Sequence, residues 1–441
     1  MEQNFFFVDG LNADKSSKRL MRQHVMKGKN AGKTFHRPSR TNQVVQHRPM
    51  ERIPRPLATQ FFSFPFPVPV TKVAGKAIDD FFNVTIGLVY PFQLGFSLEK
   101  DKVKWLEIMF HDKGSYDCSL ALIQASNEIY LGIGYNCTNS LACISRTLDQ
   151  LKARLNSKEA LSDHTMSIIM ALINQEQAAE HYAAAETHMA GLKKIVDLRG
   201  GLENIEDGIV AVKICRTDIL FALQQGGHPL FYRDHMCHIH NILTSRGFSL
   251  ERNSDVYSLR HNRLDSALQE VLFDTMRLCR LFNKHMDKKP LNLLEFQEVL
   301  VSISYRLLGF STMKESRLKG DIQSAYNIGL SLFMISIYFH NKQDRMARPG
   351  LITALAKEVI GSMLDDHEDE FTLWLLILGG ISVPANDGRE WMVEKLRDQA
   401  SMLGIMTWEQ AKDSLASFPW MNAIHDEPSR KLWDEVRLRD V

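Results

Sequence analysis

A chain of 441 residues, 44% apolar and 24% charged, has enough apolar side chain for a sizeable core, arranged as one extended helical array or two to three domains. The most apolar run, Leu373–Pro384, is shorter than the roughly 20 residues a helical bilayer crossing needs and contains two glycines, so it argues for a buried core helix and against a membrane span. The net charge of +1 hides an asymmetry, with 12 Lys/Arg against 4 Asp/Glu in residues 1–55 and 41 against 48 in the remainder.

The basic head is the first unit. Phe5–Val8 can pair as a strand or dock as an apolar plug, and Ser16 or Ser17 can cap a short basic helix. The Pro/Arg tract that follows, through Arg37-Pro38, Arg48-Pro49 and Arg52–Pro56, removes backbone donors and forbids regular helix. Residues 1–56 therefore read as a largely disordered arm. Lys15, Lys18, Arg19, Arg22, Lys27, Lys29, Lys33, Arg37 and Arg40 are its candidates for contact with an import receptor or another polyanion. Such phosphate contacts confer affinity without sequence choice. Residues 57–75 form a Pro/Phe-rich linker, and its QFFSFPFPVPV segment is expected to run extended along the body.

From about Lys76 the pattern is helical. Apolar stripes run over Ile78–Leu88, Leu106–Met109, Leu120–Leu131, Ala142–Leu155, Met166–Ile173 and Tyr182–Val196. They continue over Val212–Leu223, His235–Leu243, Ala267–Phe282, Phe296–Leu308, Ile322–Phe339, Leu351–Met363, Phe371–Gly380 and Trp391–Leu403. Period-two alternation is scarce. The expected architecture is all-α and partly solenoid-like, with residues 76–441 as one helical domain. Residues 163–174 and 178–199 predict an αα-hairpin turning near Asn174-Gln175. Tyr182, Ala185, Met189, Leu192 and Val196 draw its second stripe, and Gly200-Gly201 ends it in the left-handed region.

Chemistry-bearing motifs are sparse. The six cysteines (118, 137, 143, 215, 237 and 279) form no Cys-x-x-Cys pair, and reduced thiols in the cytoplasm or nucleus are expected. In DHMCHIH, His235 and His238 share one helix face while Cys237 and His240 share another, so no convergent metal site is expected. The acidic run Asp365–Glu370 suits a helix N-terminus. Gly132-Ile133-Gly134 and Gly226-Gly227 are too short to cradle a phosphate, and no nucleophile elbow, Walker or zincin motif occurs. Neither catalytic residues nor a cofactor are expected. Asp218, near Arg216 and one turn before Ala222, is expected to make an internal polar contact, and His188 to pack or hydrogen-bond in the hairpin.

HYAAAETHMAGLKKIVDLRGGLENI resembles a segment of the regulatory region of fungal-specific transcription factors. The matching positions include Ala185, His188, Gly191, Leu192, Arg199, Gly200 and Gly201. Arg216, Asp218 and Ala222 with Gly226, Pro229 and Phe231 resemble a second element of that family. Trp374 to Ile381 with Arg389 and Trp391 resemble a third, and Phe418–Trp420 with Trp433 its aromatic close. Tyr90-Pro91-Phe92, Trp105 and Asp112 resemble its first helices. Phe5–Val8 with Arg22–Lys27 resembles a signature of members without a zinc cluster. The resemblance implies an all-α regulatory domain in a nuclear protein that contacts other transcription regulators, a homo- or hetero-oligomeric partner, or a small effector between helices. Residues 1–75 contain no cysteine, so the family's binuclear zinc cluster, and with it sequence-specific DNA reading, is not expected. The alternative is a cytoplasmic helical scaffold of the same fold.

Overall fold

The computed structural model describes residues 64–98, 101–131, 137–248, 264–319, 321–339, 370–382 and 390–438. All belong to the unit Leu57–Val441. The basic arm, Gly132–Gly134, the Leu351–Met363 stripe, the acidic residues 365–369 and Arg389 lie outside the described residues.

Among the described residues the protein is all-helical, with sixteen α-helices and no strand. They are α1 (Lys72–Asp80), α2 (Lys102–Met109), α3 (Lys113–Leu131), α4 (Cys137–Leu155), α5 (Asp163–Ala178), α6 (Tyr182–Leu198), α7 (Gly208–Gln225) and α8 (Met236–Ser245). After them come α9 (Ser266–His285), α10 (Leu293–Phe310), α11 (Met313–Lys319), α12 (Ile322–Tyr338), α13 (Glu370–Ser382), α14 (Glu390–Met402), α15 (Trp408–Leu415) and α16 (Asn422–Leu438). Short polar side chains start many of them by accepting orphan backbone N–H groups: Thr71, Ser162, Asp207, Asp265, Asn292, Asp321 and Thr407. Asn292–Glu295 and Thr407–Gln410 close full capping boxes.

Two helices lie at the centre. Every residue of α12 from Ser324 to Tyr338, and every residue of α13 from Phe371 to Ser382, is buried. A helix without a polar face must be covered all round. The apolar run Leu373–Pro384 is accordingly a core helix as far as Ser382, and no helix among the described residues is long and apolar enough to cross a membrane. The helices α10, α11 and α13 pack on α12, and α14, α15 and α16 pack on α13. Gly329 lets α12 and α13 approach closely, because a β-carbon there would overlap the Trp374 ring and Leu375. The Trp374 indole stacks on Phe418 and donates its N–H to the Pro419 carbonyl at 3.1 Å.

A polar chain crosses the apolar interior at α12. The Met421 N–H donates to His425 Nδ1 at 2.9 Å, which leaves the proton on Nε2 to donate to Ser336 Oγ at 2.9 Å. Ser336 in turn donates to the Phe333 carbonyl at 2.6 Å. Burial pushes the His425 imidazole down to about 3, so it stays neutral and the chain is fully satisfied.

The hairpin α5–α6 forms as the periodicity predicts, but its turn lies at Ala179–His181 rather than at Asn174-Gln175. Gln175, Glu176 and Gln177 are buried and carry α5 one turn further, and Glu180 takes the left-handed conformation (φ 64°) that reverses the chain. At the far end Gly200 and Gly201 adopt φ 90° and 100°. Their N–H groups donate to the Asp197 and Val196 carbonyls, both at 2.9 Å, which is a Schellman stop. The stripe Ile78–Leu88 is not one helix. After α1 the chain widens to a π-turn over Phe81–Thr85 and then tightens to a 3-10 turn over Ile86–Leu88. Thr85 holds this irregular segment in place by donating to Asn127 Oδ1 of α3 at 2.8 Å, while Asn127 donates to the Ala77 carbonyl at 2.8 Å. Phe64–Val70 lies on the body as expected, with Phe66 set edge-on to Phe110 (5.3 Å between centroids).

Gly329→Ala should lower the unfolding free energy by about 1–3 kcal/mol, since the buried Trp374 ring has no free space to move into. Urea melts of the full chain check this, and a loss under 0.5 kcal/mol would contradict the close contact.

Candidate functional site

Helix α7, GIVAVKICRTDILFALQQ, is apolar nearly all round, so each polar side chain on it needs a partner inside the protein. Lys213, Arg216, Thr217, Leu220 and Gln224 share one face at helical spacing and line a cavity of about 220 Å³. The other walls are the irregular Phe81–Tyr90 segment, Trp105 and Met109 of α2, and the inward faces of α3 and α5. The loss of regular winding after α1 thus coincides with the cavity wall, where Phe81, Thr85 and Ile86 all contribute.

Cations and aromatic rings alternate along this wall. The Lys213 ammonium sits 3.6 Å from the centre of the Trp105 ring. Trp105 meets Tyr90 edge to face at 5.6 Å. The Arg216 guanidinium lies between Tyr90 at 4.9 Å and Tyr338 at 4.8 Å. Arg216 donates from Nη1 to Gln297 Oε1 at 2.8 Å and from Nη2 to the Val89 carbonyl at 3.0 Å. Its partners are all neutral. Burial lowers the Lys213 ammonium to about 8, with the Asp207 carboxylate opposing the shift. Lys213 is half-buried by surface exposure, but its charged end lies against the indole and so loses most of its water.

No Asp or Glu occurs among the described residues that line the cavity. Several arginines elsewhere pair with carboxylates: Arg233 with Glu298 at 2.6 Å, Arg306 and Arg277 with Asp274 at 2.7 and 2.8 Å, and Arg154 with Asp112 at 2.9 Å. The cavity therefore holds two cations without a counter-charge on its wall. Its remaining polar groups include the Gln177–Gln224 amide pair (2.5 Å) and Ser167, whose hydroxyl oxygen is buried without a hydrogen-bond partner.

Asp218 does make an internal polar contact, though not with Arg216, which points to the cavity side of α7. The Asp218 carboxylate accepts from the Leu230 and Phe231 N–H groups at 2.8 and 2.9 Å and from the Tyr305 hydroxyl at 3.0 Å. It thereby ties the loop after α7 to α10. Burial pushes this carboxyl up to about 6 against the pull of those three donors.

The other residues singled out in the sequence are spread over the fold. Arg199 bridges the hairpin to Asp163 and to the Leu161 and Asn204 carbonyls. His188 is half-buried on α6, its imidazole lowered by burial with Glu176 opposing. Gly191 is exposed and nothing lies within 4 Å of where a β-carbon would stand. Trp374 and Trp391 belong to the α12–α14 interior. Of the residues singled out in the sequence, Arg216 reaches the cavity, together with Tyr90 and Trp105. His235 precedes α8 with Nδ1 3.6 Å from Glu298, Cys237 is exposed, and among the described residues no three His, Cys, Asp or Glu side chains group to hold a metal ion. Cys118 and Cys215 are buried thiols raised to about 11 and about 12, far from thiolate chemistry at neutral pH. Sequence reading missed Lys213, Trp105 as its platform, and Ser167. Lys213 did carry a signal, as the one ammonium in the apolar first half of α7.

Asp218→Ala orphans two backbone N–H groups and should cost about 2–4 kcal/mol of stability, and Tyr305→Phe about 1 kcal/mol. Chemical denaturation distinguishes the two. Lys213→Met should raise stability at pH 7 by about 1–2 kcal/mol, because it removes an uncompensated charge. A lysine with its folded pKa depressed from 10.5 to about 8 makes an unfavourable contribution that is complete below pH 8 and fades as pH rises to 10.5. The gap between variant and wild type must shrink over that window, and a gap that grows would refute the buried-charge account.

In comparisons with known proteins, no protein-family model, no curated protein and no solved structure matches the chain.

Proposed function

We propose that the protein is a transcription-regulator-like nuclear protein that acts through its helical body and carries no zinc-cluster DNA-binding module of its own. Its likeness to the regulatory region of fungal-specific transcription factors rests on motifs that follow the same order along the chain. The observation that carries the effector half of this reading is the cavity beside α7, with Lys213 and Arg216 lacking a carboxylate partner. A pocket of apolar walls with a few fixed polar groups is the usual form of a small-molecule site. A helical body that changes its stability or its partner surface when that pocket fills is a regulatory device. The basic arm supplies nuclear import or nonspecific polyanion contact, and partner regulators supply sequence-specific DNA reading.

Three measurements test the reading. Fused to a heterologous DNA-binding domain, residues 57–441 should change the output of a matched reporter at least threefold in either direction. The tagged full chain should accumulate in the nucleus and lose that localisation on deletion of residues 1–56. Cytoplasmic signal with and without the arm, together with an inert fusion, would select the scaffold role. Tight, sequence-selective DNA binding by the purified chain at physiological salt would overturn the absence of a DNA-reading module.

A further inference from the structure

The chemistry of the cavity narrows what can occupy it. Two cations face it from one helix, three residues apart, and no described lining residue is acidic. Arg216 is held by neutral acceptors and two tyrosine rings, and Lys213 by the Trp105 face, so both keep a formal charge that the wall leaves uncompensated. A cationic ligand is thereby disfavoured, and an anion gains from each of them. Ser167 adds a buried hydroxyl with no present partner. The volume of about 220 Å³ excludes a nucleotide or peptide yet exceeds the roughly 150 Å³ in which an apolar cavity admits benzene. The walls between the polar groups are Ile86, Met109, Ile123, Met170 and Leu220, which suit an apolar body. They argue against a bare phosphate, whose charge and hydration need donors on every side.

We propose that this cavity binds a small carboxylate with an apolar body the size of one ring or a branched chain, its anion facing Lys213 and Arg216 and its body against the aromatic and aliphatic wall. Lys213 is the charge that discriminates. Its ammonium rests on an indole and no acidic residue lines the cavity beside it, the Asp207 carboxylate acting only through space, whereas the Arg216 fork is already committed to Gln297 and Val89. Trp105 holds the Lys213 ammonium in place and Tyr90 ties that ring to Arg216, so the two charges are set before the ligand arrives. This assignment names the effector class for the functional reading above and rests on the same cavity.

Calorimetry on the full chain at pH 7 with benzoate, phenylacetate and 3-methylbutanoate, each beside its neutral alcohol, provides the test, with inorganic phosphate as a further probe. At least one carboxylate should bind saturably and tenfold or more tighter than its alcohol. Lys213→Gln should reduce that ratio to below threefold, Lys213→Arg should restore it, and Ser167→Ala should weaken the carboxylate alone. Circular dichroism confirms that each variant is folded. Equal binding of acid and alcohol, an unchanged ratio in Lys213→Gln, phosphate binding as tight as the carboxylates, or binding of none of the three acids would each overturn the assignment. Reporter activity of the fusion is read separately: retained activity without carboxylate binding sinks the ligand alone, and carboxylate binding by an inert, cytoplasmic chain sinks the regulatory role alone.

Discussion

Two helices without a polar face set the terms for the fold. From Ser324 to Tyr338 and from Phe371 to Ser382 every residue of α12 and α13 is buried, so the chain must supply cover on every side of both. They approach closely, with Gly329 under Trp374, while α10 packs on α12 and α16 packs on α13. The chain Met421–His425–Ser336–Phe333 gives each of its donors an acceptor there, whereas the Ser331 and Ser382 hydroxyls are buried without a hydrogen-bond partner.

The α7 cavity is built differently. Arg233, Arg306 and Arg154 meet carboxylates, whereas α7 turns two cations toward an open volume lined by rings and neutral dipoles. Holding an ammonium over an indole recovers part of its lost hydration, on the order of 2 kcal/mol when water is excluded. Burial still pulls the Lys213 pKa down to about 8, so the recovery is incomplete. That residual cost is what an anionic ligand relieves. Binding and stability are thereby linked, since anything that neutralises the pair stabilises the helices carrying it, α7 directly and α10 through Gln297.

The linkage gives the functional reading its physical content. Arg216 touches Tyr338 at the end of α12 and Val89 in the irregular segment, so the cavity wall is continuous with the central helix. Asp218, on the other face of α7, holds the Leu230–Phe231 loop. One helix therefore joins a ligand-sized space to the core and to a surface loop.

Much was legible from residue order alone. Periodicity of three and four placed most of the helices, and the double glycine at positions 200 and 201 marked a stop that needs left-handed backbone. Continuous apolarity marked α13 as interior. The acid at 218 was legible as an internal contact, because a carboxylate on an apolar helix has to be satisfied. What the sequence left open were the features set by partners distant in the chain. The hairpin turn moved to Ala179–His181 because burial of Gln175–Gln177 extended α5, and local spacing carries no record of that burial. The Ile78–Leu88 stripe became an α-helix, a π-turn and a 3-10 turn, held by Asn127 some forty residues downstream. The cavity joins Trp105, Ser167, Lys213 and Phe339, which no spacing rule connects. Local propensity and hydrophobic period are properties of neighbouring residues, so the chain by itself determined an all-helical body and its stops. Whether a cation meets a carboxylate or a ring depends on which segments pack together, and only the tertiary structure decided that.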